Sequence, residues 1–277
     1  MANTTDSNGN YIFSGLKDGT APFSNNSSGV GVSYNGDLDS RTMQISSNRS
    51  VAVGDTGASI FMSVSPSESD AVPSASSSNT GTGTISAVSM NDTSNPNNGS
   101  TYTINFAVSP TNSLLPTTPQ PYTADLKIAL SGQSVQISGA PGNGDKFTVA
   151  PASSGNNDIF ATLDNLVAAL KQPIGKSSSA QATLTNALST ASTKISNSYN
   201  NLLAAQTTVG GRSQEIQSQQ SILSTSKTQN ASDLANLTSI DLVSSTSSYE
   251  LTQNSLQAPQ MAFSQIQKIS LFSYLDS

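Results

Sequence analysis

The chain has 277 residues, of which 34% are hydrophobic and only 10% are charged, and its net charge is −6. Its 11 basic residues are scattered singly, so it lacks the clustered lysines and arginines that neutralise nucleic-acid phosphates. It has no cysteine and no histidine, the usual ligands of zinc, haem and iron–sulfur clusters. The composition argues against nucleic-acid binding and most enzyme classes, and predicts no cofactor and no metal site.

Two further segment types are missing from the sequence. No apolar run approaches the roughly 20 residues that span a bilayer, so we expect no membrane insertion. The first ten residues are polar and do not resemble a cleavable signal. If the protein leaves the cell, we expect it to leave by another route.

Residues 1–155 are rich in Gly, Pro, Asn, Ser and Thr, with short runs of alternating or β-branched residues. Turn sequences such as Asn35-Gly36 separate these runs, which together predict an all-β region. The serine-rich stretch 63–79 has two prolines and is predicted to be a loop. The predicted strands are 11–13, 46–53, 58–64, 83–88, 101–108, 123–130, 134–138 and 146–149.

The following segment carries helical periodicity. A short helix over 159–170 is predicted to begin at an Asn157-Asp158 cap and to stop before Pro173. A longer helix follows from about Ser178. Its apolar stripe recurs every seven residues and predicts half of a coiled-coil seam, formed by Leu188, Ile195, Leu202, Val209, Ile216 and Leu223.

The partner positions of that seam are mostly small or polar, as at Ala191, Ser198 and Arg212. They favour a helix docked into a bundle over an isolated two-stranded coil. Gly210-Gly211 interrupts the pattern at a cost of about 1 kcal/mol per glycine relative to alanine. The pair therefore indicates either close packing against a neighbour or a soft point in the helix.

The last segment, 240–277, repeats the seven-residue spacing and ends in a strongly apolar run. So much apolar surface on a helix must be buried. It could close an intramolecular bundle with 178–228 or form a seam between subunits, and the scarcity of charge around it favours assembly. The subunit-interface candidates are Leu242, Tyr249, Leu256, Phe263, Ile266, Ile269, Leu271 and Phe272.

Carboxylates supply the remaining candidates for chemistry. Asp37 and Asp39 stand two residues apart, which places both on one face of an extended segment. Turn and surface charge explain this pair better than a metal or catalytic site, because calcium needs more oxygen ligands. A hydrolase that uses Asp37 or Asp145 is kept as a weak alternative, and we predict no catalytic residue.

Several motifs match one family. Residues 6–15 and Ala21-Pro22-Phe23 follow the pattern D-x-x-G-x-Y-I-F-x-G…P-F, and 139–147 read GAPGNGDKF. Val209-Gly210-Gly211-Arg212 and a terminal S-L-F-x-Y-L sequence at 270–275 continue the match. In these motifs, which span nearly the whole chain, the protein resembles the flagellar hook-associated protein 3 (FlgL) family of flagellin-like proteins.

The resemblance implies an α+β multidomain fold, with the long C-terminal helices of a flagellin-like bundle and an outer all-β domain. Residues 1–62 would form the N-terminal part of an intermediate domain and 156–230 its helical part. Residues 63–155 would form the outer β-rich domain, and 231–277 the C-terminal inner-core helix.

The resemblance also implies a structural adaptor that links the bacterial flagellar hook to the filament without catalysis. Its partners would be other copies of itself, hook-associated protein 1, flagellin and a flagellar export chaperone. It would be extracellular, at the hook–filament junction, after type III export. The alternatives are a flagellin that builds the filament itself, and a secreted β-rich adhesin with a helical stalk.

Two features depart from the family pattern. Members usually have long helices before the Y-I-F-x-G block, so an N-terminally truncated member is expected here. Pro259 stands where members usually carry a small residue, and it is expected to kink or end the helix because proline cannot donate a backbone hydrogen bond.

Overall fold

The computed structural model describes residues 1–27, 29–66, 69–107, 111–114, 120–154, 157–239 and 241–268. The chain divides into two compact units, Met1–Ile216 and Gln217–Ser277. In these described ranges, no helix is both long enough and apolar enough to cross a membrane.

The described part of the first unit contains thirteen short strands, all paired antiparallel. They alternate with turns because Gly and Asn residues interrupt the β-branched runs. The strands are β1 Phe23–Asn25, β2 Val32–Tyr34, β3 Thr42–Ser46, β4 Arg49–Ala52, β5 Val72–Ala75, β6 Thr84–Ile85, β7 Ser89–Met90, β8 Tyr102–Ala107, β9 Thr111–Leu114, β10 Gln120–Pro121, β11 Leu126–Leu130, β12 Gln133–Ser138 and β13 Lys146–Ala150.

The strands form two hairpin ribbons and two larger sheets. The ribbons are β1-β2 and β3-β4, and the second ribbon shifts register between Gln44 and Ser46. One larger sheet has the order β10-β9-β8-β13-β5, and the other has the order β11-β12-β6 with β7 also paired to β12. β5 and β6 are therefore edge strands, whose backbone groups must find partners outside their sheets.

One apolar core holds the two larger sheets together. Alternate residues of β8 and β13 point inward, and Phe147 and Ile104 are 0% exposed. The rings of Phe106 and Phe147 pack edge to face, with centroids 5.8 Å apart. The buried members of the core are Ala71, Ile85, Ile104, Phe106, Ile128, Leu130, Val135, Ile137, Phe147 and Val149.

Most strand predictions in this region are confirmed. The predictions at 134–138 and 146–149 match β12 and β13 within a residue, and 101–107 contains β8. Val108 lies outside the described residues. The predicted strand 123–130 begins only at Leu126, and 83–88 shortens to the two residues of β6. The segment 46–53, predicted as one strand, contains a turn at 47–48 that joins β3 to β4.

The strand predicted at 58–64 is wrong, because Ala58–Met62 is a one-turn π-helix. The turn buries Ile60 and brings the Phe61 ring to 5.2 Å from that of Phe13. Side-chain packing thus overrides the β propensity of this short run.

A further strand prediction, at 11–13, is also wrong, and the loop predicted at 63–79 is only partly confirmed. Residues 11–13 form turns, with only an isolated bridge between Thr5 and Tyr11, because the Tyr11 N–H donates to the carbonyl of Asp18. The predicted loop 63–79 contains β5. Its Pro73 is tolerated because an edge strand has one side that needs no ladder donor.

Three α-helices follow the β region: α1 Ile159–Lys171, α2 Ser178–Thr238 and α3 Leu242–Lys268. The predicted cap of α1 is confirmed, since the Asp158 carboxylate accepts the N–H of Phe160 at 2.8 Å. Pro259, expected to kink or end its helix, does not end it, because α3 continues on both sides, and the kink stays a prediction. Proline removes a single backbone donor there, and the flanking turns keep theirs.

Candidate assembly surface

The motifs at the beginning of the chain meet in one aromatic cluster. The Phe23 ring lies 5.3 Å from Tyr34, 5.7 Å from Phe61 and 5.3 Å from Phe160. Phe13 completes the cluster by packing edge to face on Phe61. The cluster therefore joins the N-terminal block, the first hairpin, the π-helix and α1 into one support for the long helix.

Tight backbone packing around this cluster explains one residue of the first hairpin, Tyr34, and one residue of the N-terminal motif, Gly15. The Tyr34 hydroxyl lies 2.9 Å from the carbonyl oxygen of Phe13, to which it can donate, and burial raises the pKa of Tyr34. Gly15 has a positive φ of 65°, and a Cβ there would stand 2.5 Å from the Asp37 carbonyl oxygen. Only glycine fits at that position.

Asp145 has a structural task in the second glycine-rich motif. It is 1% exposed, and its carboxylate accepts the N–H groups of Thr80 at 2.8 Å, Gly81 at 3.1 Å and Gly142 at 2.7 Å. These bonds satisfy the buried charge and hold two loops together. Asp37 likewise accepts the N–H of Asp39 at 3.0 Å, as in an ordinary turn. Among the described residues, no three acidic side chains are grouped to hold a metal ion.

The first half of α2 contacts the β region through polar side chains. The Asn186 amide accepts the N–H of Ile85 at 2.8 Å and donates to the carbonyl of Gly83 at 3.0 Å. Asn197, which is 1% exposed, makes the same double contact with the peptide groups of Asp70 at 2.9 and 2.8 Å. Asn186 thus pairs with the edge of β6, and Asn197 pairs with the backbone just before β5.

Two more side chains extend this docking face. The Thr190 hydroxyl donates to the carbonyl of Pro73 in edge strand β5 at 2.8 Å. The Asn201 amide nitrogen lies within 3.2 Å of three carbonyl oxygens at the end of the π-helix, those of Ser59, Ile60 and Ser63. We call Asn186, Thr190, Asn197 and Asn201 the amide face of α2. All its contacts to the β region are with backbone groups, so it satisfies peptide groups that the sheets leave unpaired.

An ion pair anchors the next part of the helix. The Arg212 guanidinium binds both carboxylate oxygens of Asp55, at 2.7 and 3.0 Å, and both side chains are 21% exposed. Such a bidentate pair fixes orientation as well as distance. The adjoining Gly210 and Gly211 have open space where a Cβ would stand. Among the residues that the structure describes, therefore, close packing does not explain the glycine pair.

The predicted apolar stripe of α2 lies away from this docking face. Leu188, Ile195, Leu202 and Val209 are 37% to 52% exposed. Leu223, in the second unit, is also exposed. The structure therefore leaves this row of the seam exposed in the first unit, whereas Ala191 of the partner row is buried on the docked side.

The interface candidates in α3 are exposed as well. Leu242, Tyr249, Leu256, Phe263 and Ile266 have exposures between 58% and 74%. Ile269, Leu271 and Phe272 lie outside the described residues. The first four recur every seven residues in one continuous helix, so they share a stripe along it.

Sequence reasoning missed the amide face of α2. Its members stand at intervals of four, seven and four, which is the helical spacing of residues that share one face. The signal was present, but polar residues at such spacing are ordinarily assigned to solvent. Only the tertiary fold, which places unpaired backbone groups of the β region against them, turns them into a docking surface.

Comparison with known proteins gives a consistent result, although no protein-family model matches the chain. Flagellar hook-associated protein 3 of Escherichia coli K12 is 27% identical over 98% of the chain, and that of Salmonella typhimurium LT2 is 25% identical over the same share. The chain spans about 60% of the length of these two relatives.

Solved structures agree with the sequence comparison. The crystal structure of Xanthomonas campestris FlgL has a TM-score of 0.70 and 28% identity, covering 85% of this chain and 76% of that one. A hook-associated protein 3 from Legionella pneumophila gives 0.69 and 28% with the same coverage. The α+β fold and the resemblance drawn from the motifs are thereby confirmed, and the chain is related in both sequence and fold to flagellar hook-associated protein 3.

Proposed function

We propose that the chain is a structural adaptor of the bacterial flagellum that links the hook to the filament and performs no catalysis. The observation that carries this proposal is the similarity to hook-associated protein 3 along 98% of the chain. The exposed stripes on α2 and α3 supply a physical basis, since apolar helix faces of this length are stable in water only when other helices cover them.

In this proposal the assembly surface consists of Leu242, Tyr249, Leu256, Phe263, Ile266, Ile269, Leu271 and Phe272. They lie in the inner layer, 231–277. The intermediate layer consists of 1–62 and 156–230, and the β-rich layer of 63–155 faces outward. The partners are other copies of the chain, hook-associated protein 1 and flagellin, and an export chaperone keeps the stripes covered before assembly. The site of action is extracellular, at the hook–filament junction.

The test compares two neighbouring positions of α3. Leu256→Asp places a charge in the stripe, whereas Gln257→Asp places the same charge one residue away, and both positions are exposed. Each change is made in the chromosomal gene. We expect Leu256→Asp to abolish swimming and release filaments from hooks in electron micrographs, while Gln257→Asp swims normally.

A second measurement separates the adaptor from its alternatives. Antibody labelling of intact flagella is expected to mark a single band between hook and filament. Labelling along the whole filament would instead indicate a flagellin. Normal motility of a deletion strain that loses surface attachment would indicate an adhesin.

A further inference from the structure

A small cavity of about 280 Å³ lies beside Gln133, the first residue of β12. Its volume is just below the usual range of drug-sized ligand sites, so it suits a small molecule or a single side chain. Part of its wall is apolar and is formed by Ala71, Met90 and Pro151. Among the described residues that line it, none carries a charge.

Two side-chain oxygens of residues in this wall are buried without a hydrogen-bond donor among the described residues. Gln133 is 1% exposed, and its Oε1 accepts no hydrogen bond from the part of the chain that the structure describes. Oδ1 of Asn98 is also buried and is in the same situation. Because a buried acceptor without a donor raises the free energy of the fold, these oxygens favour a molecule that donates to them.

The nitrogen end of each amide is already engaged by the protein. Nε2 of Gln133 donates to the main-chain carbonyl of Asn98 at 2.7 Å, so the two side chains are neighbours. Nδ2 of Asn98 donates to the carbonyl of Asp92 at 2.7 Å. Since a carbonyl oxygen can only accept, the nitrogen of each amide must be the engaged atom and the oxygen the free one.

The loop that carries Asn98 is itself fixed to the β11–β12 hairpin. The N–H groups of Asn91 and Asp92 both donate to the carbonyl of Gly132, at 2.8 and 2.9 Å. A Cβ at Gly132 would stand 2.6 Å from Oδ1 of Asn98, so a residue without a side chain is needed beneath that oxygen. The two oxygens are therefore held in place before any ligand arrives, which reduces the entropy lost on binding.

These features select one class of ligand. A carboxylate is disfavoured, because its oxygens can only accept hydrogen bonds and would face two further acceptors. A cation would lose its hydration beside described residues that offer no opposite charge. The NH₂ group of a primary carboxamide is neutral and carries one hydrogen for each of the two oxygens.

We propose that this cavity binds a neutral primary carboxamide, whose NH₂ group donates to Oε1 of Gln133 and Oδ1 of Asn98 while its aliphatic carbons contact Ala71 and Pro151. The described wall shares no residue with the exposed stripes, and the site goes beyond the junction role. Two sources can supply the carboxamide: a free small amide, or an asparagine or glutamine side chain of a second copy.

The test titrates the purified chain, in dilute solution, with butyramide and with methyl propyl ketone, which carries a methyl group in place of the NH₂ group. Amide resonances of Ala71 and Ala152, two residues of the wall, are followed by NMR. We expect saturable shifts, with butyramide binding about tenfold more tightly, because the ketone leaves both oxygens without donors.

Two glutamines of the same strand supply the variant and its control. Gln133→Met removes Oε1 with little change in volume, and it should abolish the preference for butyramide while the ketone still binds. Gln136→Met alters an exposed position of β12 and should keep the preference.

The outcomes separate the two sources and can refute the proposal. Shifts of the same resonances on concentrating the chain without ligand, absent in Gln133→Met, would assign the carboxamide to a second copy. Butyramide binding without such concentration-dependent shifts would assign it to a free amide. Equal affinity for the two compounds in the unaltered chain would overturn the proposal, as would a preference that survives Gln133→Met. The absence of saturable shifts with either compound would mean that water alone satisfies the oxygens, and would also overturn it.

Discussion

The β core and the α2 docking face hold the same unit together by opposite means. In the core, apolar side chains such as Phe147 and Ile104 are fully buried and polar groups face outward. On α2, amides such as Asn197 are buried and leucines such as Leu202 face outward. The comparison teaches that the apolar face of a helix need not be the face that its own chain buries. Here that face is left exposed to solvent.

The largest expected effect falls in the core. Phe147→Ala removes a fully buried ring that packs on Phe106. We expect it to lower the free energy of unfolding by about 3–5 kcal/mol, because a cavity remains where the ring stood. Urea denaturation followed by far-UV circular dichroism measures the change. Phe147→Leu should lose less, because it refills part of the cavity, and a Phe147→Ala variant as stable as the parent would contradict the prediction.

The next prediction tests whether the docking of α2 is polar. Asn186→Leu keeps the volume of the side chain and removes the contacts with Gly83 and Ile85. We expect a loss of about 1–3 kcal/mol, since two buried peptide groups lose their partner. Amide hydrogen exchange at Ile85 should accelerate in the variant. Ser189→Leu, on the neighbouring part of the same helix, serves as the control. An Asn186→Leu variant as stable as the parent would mean that apolar contact suffices.

A smaller, pH-dependent effect on stability is expected at Asp6, in the N-terminal motif. The N–H of Asn10 donates to the Asp6 carboxylate, and this bond and that from Asn8 lower the pKa of Asp6 below its usual 3.8. A lowered folded-state pKa stabilises the fold above the unfolded pKa, and this stability is lost as pH falls through the folded value. The Tm of Asp6→Asn should therefore lie below that of the parent at neutral pH, and the two values should become equal in acid. Thermal unfolding between pH 7 and pH 2 measures this, and a constant difference would refute it.

The smallest effect is expected on the outward stripe. Leu202→Ser changes a side chain that is nearly half-exposed, so the stability of the isolated chain should change by no more than about 0.5 kcal/mol. Chemical denaturation gives the value. A loss comparable to that of Asn186→Leu would place Leu202 in the chain's own core and erase the contrast between the two faces.

The elements that could be predicted from sequence are those in which the local residue pattern and the burial in the folded chain favour the same secondary structure. β12 and β13 alternate apolar and polar residues, and α1 has an aspartate cap and a following proline. The π-helix at Ala58–Met62 could not be predicted, because its cause is the distant ring of Phe13. The contact made by Asn197 could not be predicted either, because its partner, Asp70, is 127 residues away in the sequence.

The interface candidates were accessible to sequence reasoning for a different reason. A seven-residue spacing such as that of Tyr249, Leu256 and Phe263 indicates a stripe whether or not its partner belongs to the same chain. The pattern predicts a shared stripe on α3, and whether an internal bundle or a neighbouring subunit covers that stripe stays a prediction.

The amide face of α2 forms hydrogen bonds with backbone groups rather than side chains of the β region. Every amino acid presents a backbone carbonyl and all except proline present an N–H, so most substitutions at the contacted positions keep these hydrogen bonds. Side chains of the β region can therefore change without loss of the hydrogen bonds that hold it to α2.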